Sequence, residues 1–256
     1  MPICPDCQDT GWRPLAAAAG GGVAATVEAC PCRRQKDLAR RLAEAGIPPR
    51  YQHCSLEDFD PRAYPDAPAA LTWAWQVARD FADKYPAERG GLLFVGPCGV
   101  GKTHLAVAVL REVMEQRGAV GRFADHRDLL KQIQATFDPQ TARSETAIIA
   151  PLQTADVLVL DDLGVGRATE WTLETLHYLL NYRYTHDLAT VLTTNLEDAP
   201  PARGPAPALD YEPRRTLAQA IGERLRSRLF EMCKRVEMPG DDFRRRVLRP
   251  SADFKA

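Results

Sequence analysis

Apolar positions along this 256-residue chain follow two patterns. Short unbroken runs, at Leu92 to Val95 and within Asp156 to Leu160, predict buried strands; Val120 to Ala124, Val191-Leu192 leading into Thr193-Thr194-Asn195, and Arg235 to Met238 predict three more. Elsewhere the apolar residues recur every three or four positions, which predicts helices. Leu38 and Leu42 mark Arg33 to Ala45, closed by Gly46. Leu71, Trp75, Ala78 and Ala82 mark Ala69 to Tyr85, with Trp73 off the stripe. Leu129, Leu130 and Ile133 mark His126 to Phe137, and Leu173, Leu176, Leu179 and Leu180 mark Thr169 to His186. Ile221, Leu225, Leu229 and Met232 mark an arginine-bearing helix over Gln219 to Cys233. The alternation of strands and helices is an α/β pattern.

Between the first of these strands and a helix over Thr103 to Gln116 lies the loop Gly96-Pro97-Cys98-Gly99-Val100-Gly101-Lys102-Thr103. It fits the phosphate-binding pattern GxxxxGKT, in which glycines let backbone N–H groups approach phosphate oxygens and the lysine adds a point charge. The Thr103 hydroxyl can ligate Mg²⁺, and the positive end of the helix dipole faces the phosphates. Asp161 and Asp162 follow a buried strand, where Asp161 would hold Mg²⁺ and Asp162 would orient and deprotonate a water; the alternative for both is a cap or turn. Asn195 could position that water or close an asparagine turn.

Composition changes the picture little. The chain is 45% hydrophobic and 26% charged, and 33 basic against 34 acidic residues argue for neither nucleic acid nor membrane. Local charge survives the cancellation: Arg214 to Arg249 holds eleven Arg or Lys against five Asp or Glu. The amino end lacks a basic stretch followed by an apolar core, and no run of about 18 apolar residues occurs, so a cytoplasmic location is expected.

Seven cysteines, an odd number, speak against a disulfide framework. Cys4 and Cys7 form a CxxC, Cys30 and Cys32 a CxC, and the residues between them read as a hairpin with a loose Ala/Gly loop over Ala16 to Ala25. Folding that hairpin would bring four thiolates into a closed zinc site; the alternative is four unrelated reduced thiols. Cys54 is expected to be a packed thiol. The expected division is a zinc module with a short helix over 1–46, a proline-punctuated linker over 47–68 and an ATPase domain over 69–256, with a proline-rich surface loop over Leu196 to Pro213.

The stretches IPPRYQHCSLEDFD, GKTHLA, DLLKQIQATFD, DVLVLDDLG, TEWTLETLHYLLNYRY, VLTTNL and GERLRSRLFEMC resemble the DnaC/DnaI/IstB group of AAA+ ATPases over about residues 47 to 249. The resemblance implies a P-loop AAA+ core with a parallel sheet flanked by helices and no carboxyl-terminal helical lid, behind a zinc-ribbon-like module. It implies that Gly96, Pro97, Gly99, Val100, Gly101, Lys102, Thr103 and His104 bind ATP with Mg²⁺, and that Asn195 is sensor 1. Arg228, with Arg224 as the alternative, would be an arginine finger reaching a neighbouring subunit. Its partners would be a replicative DNA helicase, single-stranded DNA and further copies of the chain in an ATP-dependent oligomer. A transposition helper assembling on duplex DNA, and a zinc adaptor that binds nucleotide with little turnover, are the other readings. Asp162 stands where the general pattern has a glutamate, one methylene longer, and without a lid no lid arginine can be assigned.

Overall fold

The structure is a computed structural model that describes residues 4–14, 27–88, 90–138, 144–166, 169–198 and 215–244. The Ala/Gly loop, most of the proline-rich loop and residues 245–249 of the basic end lie outside the described residues. The elements are β1 (Trp12–Pro14), β2 (Val27–Ala29), α1 (Pro31–Glu44), α2 (Pro68–Lys84), β3 (Gly91–Val95), α3 (Lys102–Arg117), β4 (Gly121–Asp125), α4 (His126–Ala135), α5 (Glu145–Thr154), β5 (Val157–Asp161), α6 (Glu170–Thr185), β6 (Ala189–Thr194), α7 (Leu217–Ile221), α8 (Glu223–Met232) and β7 (Cys233–Glu237). No described helix is long and apolar enough to cross a membrane.

Strands β4-β5-β6-β3-β7 form one parallel sheet. Because side chains alternate across a strand, Leu92 and Phe94 of β3 enter one core layer with α2 and α3, while Leu93 and Val95 enter a second with α4 to α8. Strands buried on both faces read as continuous apolar runs, which is why β3 and β5 were visible in the sequence.

Three segments differ from expectation. The arginine helix is two helices, because Gly222 takes φ +82°, a left-handed conformation that breaks the run between Ile221 and Glu223. Helix α5 had no periodic signature and carries Pro151 inside it. The stretch 47–68 carries two 3-10 turns, Pro49–Tyr51 and Pro61–Ala63, and buries Ile47, Cys54, Leu56, Phe59 and Tyr64. Its successive carbonyls are each met from a helix of the core: Arg111 Nη1 donates to Cys54 O (3.0 Å), His104 Nε2 lies 2.9 Å from Ser55 O, and Trp75 Nε1 donates to Leu56 O (2.7 Å). Satisfied backbone groups let an irregular segment pack like a core element.

One buried cation serves the sheet. Arg183 of α6 is fully buried and donates to the carbonyls of Leu152, Gln153, Ala155 and Ala189 and to Thr190 Oγ1. It thereby closes the carboxyl end of α5, where helix carbonyls lack partners and carry partial negative charge.

Candidate nucleotide site and cysteine cluster

Parallel strands direct their carboxyl ends to one side, and β3, β4, β5 and β6 deliver the loop, Asp125, Asp161 and Asn195 there together. They border a cavity of about 590 Å³. Lys102, Thr103, His104, Gly99 and Gly101 line it from the loop, Asp161, Asp162 and Asn195 from the sheet. Gly96, Pro97 and Val100 do not line it; Val100 is buried under the loop, and Gly96 and Pro97 turn their carbonyls to Lys102. At Gly101, φ is +96° and a Cβ would stand 2.6 Å from the Phe59 ring, so glycine is required twice over.

Lys102 Nζ donates to Gly96 O (2.8 Å), Pro97 O (2.7 Å) and Asn195 Oδ1 (2.6 Å), and burial pulls its ammonium below the usual lysine range. Thr103 Oγ1 donates to Asp161 Oδ1 (2.9 Å), and Thr193 Oγ1 donates to the same oxygen (2.6 Å). Asn195 Nδ2 reaches Asp162 Oδ1 at 3.2 Å, so the amide bridges the lysine and the second carboxylate. Burial pushes the Asp161 carboxyl up to about 6; bonds from Thr193 and Thr103 act against the shift, and the Asp162 and Asp125 charges add to it. A phosphate-bound divalent cation would restore the charged form.

Three parts of the cavity wall were missed in the sequence. Phe59 and Tyr64, from the stretch taken for a linker, form an aromatic wall with His104 and Phe243. Arg244 reaches the cavity because the chain after β7 folds back on the loop, with Phe243 N–H donating to Gly99 O (3.2 Å). Asp125 ends β4 beside Asp161; a carboxylate closing a parallel strand was the available signal. Arg228 lies away from the cavity wall, its guanidinium 5.7 Å above the Tyr184 ring, and Arg224 is exposed on the same helix.

The four amino-terminal cysteines do converge. Strands β1 and β2 pair antiparallel, Cys30 caps α1 and Cys32 lies in its first turn. The ligand atoms of Cys4, Cys7, Cys30 and Cys32 all fall within 4.8 Å of one another, with Cys4–Cys30 at 3.8 Å and Cys7–Cys32 at 3.2 Å. Tetrahedral zinc with bonds of about 2.3 Å sets sulfurs about 3.8 Å apart, so the donor set fits that ion.

In the sheet, β6 separates β3 from β5, which sets Asn195 between the loop lysine and Asp162; that order, with the loop and the acidic pair, defines a P-loop protein of the AAA+ class. Within that class the chain belongs to the family of IstB-like ATP binding proteins, whose pattern matches residues 27–251. A crystal structure of the DnaC helicase loader superposes with a TM-score of 0.60 at 31% identity, covering 75% of this chain and 99% of that one. The replicative helicase loader DnaC of Escherichia coli K12 is 25% identical over 162 residues, 63% of each chain. An insertion-sequence ATP-binding protein of Sinorhizobium fredii is 32% identical over 155 residues, 59% of this chain and 47% of its own length. The chain thus spans less than two thirds of either of these two curated relatives.

Proposed function

We propose that this protein is a cytoplasmic ATPase that loads a replicative DNA helicase onto single-stranded DNA, working as an ATP-dependent oligomer. The observation that carries the reading is one cavity shared by Lys102, the Thr103–Asp161 pair and the Asp162–Asn195 pair, on a core akin to a helicase loader. Residues 1–46 would serve as the zinc module, 47–68 as a strap over the nucleotide and 69–256 as the ATPase domain.

In this reading the loop amides of Gly99 to Thr103 receive phosphate oxygens; Pro97, having no N–H, gives none. Lys102 leaves its carbonyl and amide acceptors for the phosphates, and Thr103 and Asp161 hold Mg²⁺, which would neutralise charge on the transferred group. Asp162 accepts the proton of a water that Asn195 helps orient. Its shorter side chain predicts slow turnover. Arg228, remote from its own cavity, would act on a neighbouring copy; Arg228→Ala should leave ATP binding intact and abolish assembly-dependent hydrolysis.

The test is to mix the protein with the replicative helicase of its own cell, with and without ATP, and measure the mass of the products by size-exclusion chromatography with light scattering. A complex that disappears in Cys4→Ser/Cys7→Ser supports loading through the zinc module. Separate elution under every nucleotide condition rejects it. The insertion-sequence relative favours a second reading, a transposition helper on duplex DNA. A clear duplex preference in fluorescence anisotropy with ATP would select that one.

A further inference from the structure

Asp125 lies outside both the phosphate loop and the Asp161–Asp162 pair, yet it shares their space. It is the last residue of β4 and is matched in parallel register with Asp161, the last residue of β5. Paired positions of neighbouring strands carry their side chains to the same face. Ligand oxygens of Asp125, Asp161 and Asp162 all lie within 4.8 Å of one another, and all three residues border the nucleotide cavity. The cavity lysine feels the charges of Asp161 and Asp162, but its hydrogen bonds go to two carbonyls and an amide rather than to a carboxylate. One residue beyond, His126 is 4% exposed and neither ring nitrogen has a partner among the described residues. Buried polar groups of that kind are uncommon, although His126 itself does not line the cavity.

We propose that Asp125 is a third carboxylate of the cation centre, acting on the water shell of the divalent ion that accompanies the nucleotide. This rests on the ATP reading above. Mg²⁺ keeps several of its waters when bound by one or two carboxylates and phosphates, so it offers an acceptor such as Asp125 a water to hold. With Asp162 one methylene short, a carboxylate from the neighbouring strand adds negative charge that Asp162 alone does not bring to that shell.

The competing role is structural: Asp125 caps α4, its Oδ1 accepting from the Asp128 N–H at 2.9 Å. A cap uses one acceptor site of a carboxylate that has about four. Asn and Ser cap as well as Asp does. Asp125→Asn and Asp125→Ser therefore keep the helix and remove the charge.

The experiment measures binding of a fluorescent ATP analogue in EDTA and across a Mg²⁺ titration, together with the Mg²⁺ dependence of ATP hydrolysis. Both variants should raise the half-saturating Mg²⁺ concentration by about tenfold or more, the usual cost of an outer-shell partner. Their affinity for the metal-free analogue should be unchanged or higher, since a charge that repels phosphate is gone. An unmoved Mg²⁺ dependence overturns the proposal, as does equal weakening in EDTA and Mg²⁺, which would mark the cap alone. If the unaltered protein binds no analogue under either condition, the nucleotide reading itself fails, a result distinct from both.

Discussion

The cysteine hairpin and the parallel sheet solve the same problem with opposite means. Every residue of β3, β5 and β6 is buried, so water is excluded from both faces and apolar burial holds the strands. In the hairpin the pattern is inverted: Trp12, Val27 and Ala29 of one face are exposed, while the opposite face carries the half-buried Arg13–Glu28 pair (2.6 Å). Strands of three residues cannot enclose a core, and a lone hairpin is marginal in water. Among the described residues it is held by the four-thiol cluster, with the Lys36–Asp9 pair (2.8 Å) and the Arg33 guanidinium 4.3 Å above the Trp12 ring as smaller additions. Where apolar area runs out, directed chemistry takes over.

The strongest way to break this contrast is to remove the metal that the proposed zinc module would hold. Structural zinc can contribute on the order of 10 kcal/mol to a small module. Chelation, or Cys4→Ser/Cys7→Ser, should therefore cost the hairpin its hydrogen-exchange protection. The core should keep its cooperative unfolding and its nucleotide binding. The carboxyl half of α1 should stay protected, since Leu38 and Leu42 pack on the core and Arg122 donates to Glu44 O (2.6 Å). Zinc stoichiometry and exchange mass spectrometry check this together; collapse of the core with the metal would refute the contrast.

The next test applies directed chemistry inside the sheet. Arg183→Met removes the donors of four buried carbonyls and a hydroxyl. Unsatisfied buried groups cost about 1–3 kcal/mol apiece before relaxation, so a loss of at least about 3 kcal/mol is expected in urea unfolding. Zinc content should not change. A loss below about 1 kcal/mol would mean that the α5 terminus finds other donors.

The two regions also differ in how much of them could be read from sequence. Cys4/Cys7, Cys30/Cys32, the phosphate loop, Asp161-Asp162 and Asn195 were legible because each is a short local spacing or a strand end. The strap was not, because what makes it structure lies far along the chain: Trp75, Arg111 and His104 satisfy its carbonyls, and Phe59 covers Gly101. Asp125 was hidden by its ordinary role as a cap, and Arg244 by standing beyond β7. A local pattern cannot show which distant groups meet it. Trp75→Phe tests this at small scale: it keeps an aromatic ring and deletes the bond to Leu56 O. It should cost about 1–1.5 kcal/mol of stability, and nucleotide affinity should fall with it, because the strap forms one wall of the cavity. Unchanged affinity would show that the strap's position does not depend on that bond.

The smallest effect is a matter of pH. Burial holds the His126 imidazole below its ordinary value of 6.5. Above 6.5 the group is neutral in folded and unfolded chains alike; below it the unfolded chain takes up a proton that the folded one resists. Stability from this group is therefore lost as pH falls from 6.5 toward the depressed folded value, by at most about 1.4 kcal/mol per pH unit. The thiolates of the proposed zinc module would also take up protons in acid and release the metal, so both regions would weaken together and the curves must be separated. Urea unfolding of the core at pH 7.5 and 5.5 after chelation removes the thiolate contribution. The unaltered protein should then lose more stability across that interval than His126→Leu, by no more than about 1.4 kcal/mol. Equal losses would mean that His126 takes up its proton in the fold as readily as in the unfolded chain, with the Asp125 and Asp162 charges offsetting the cost of burial.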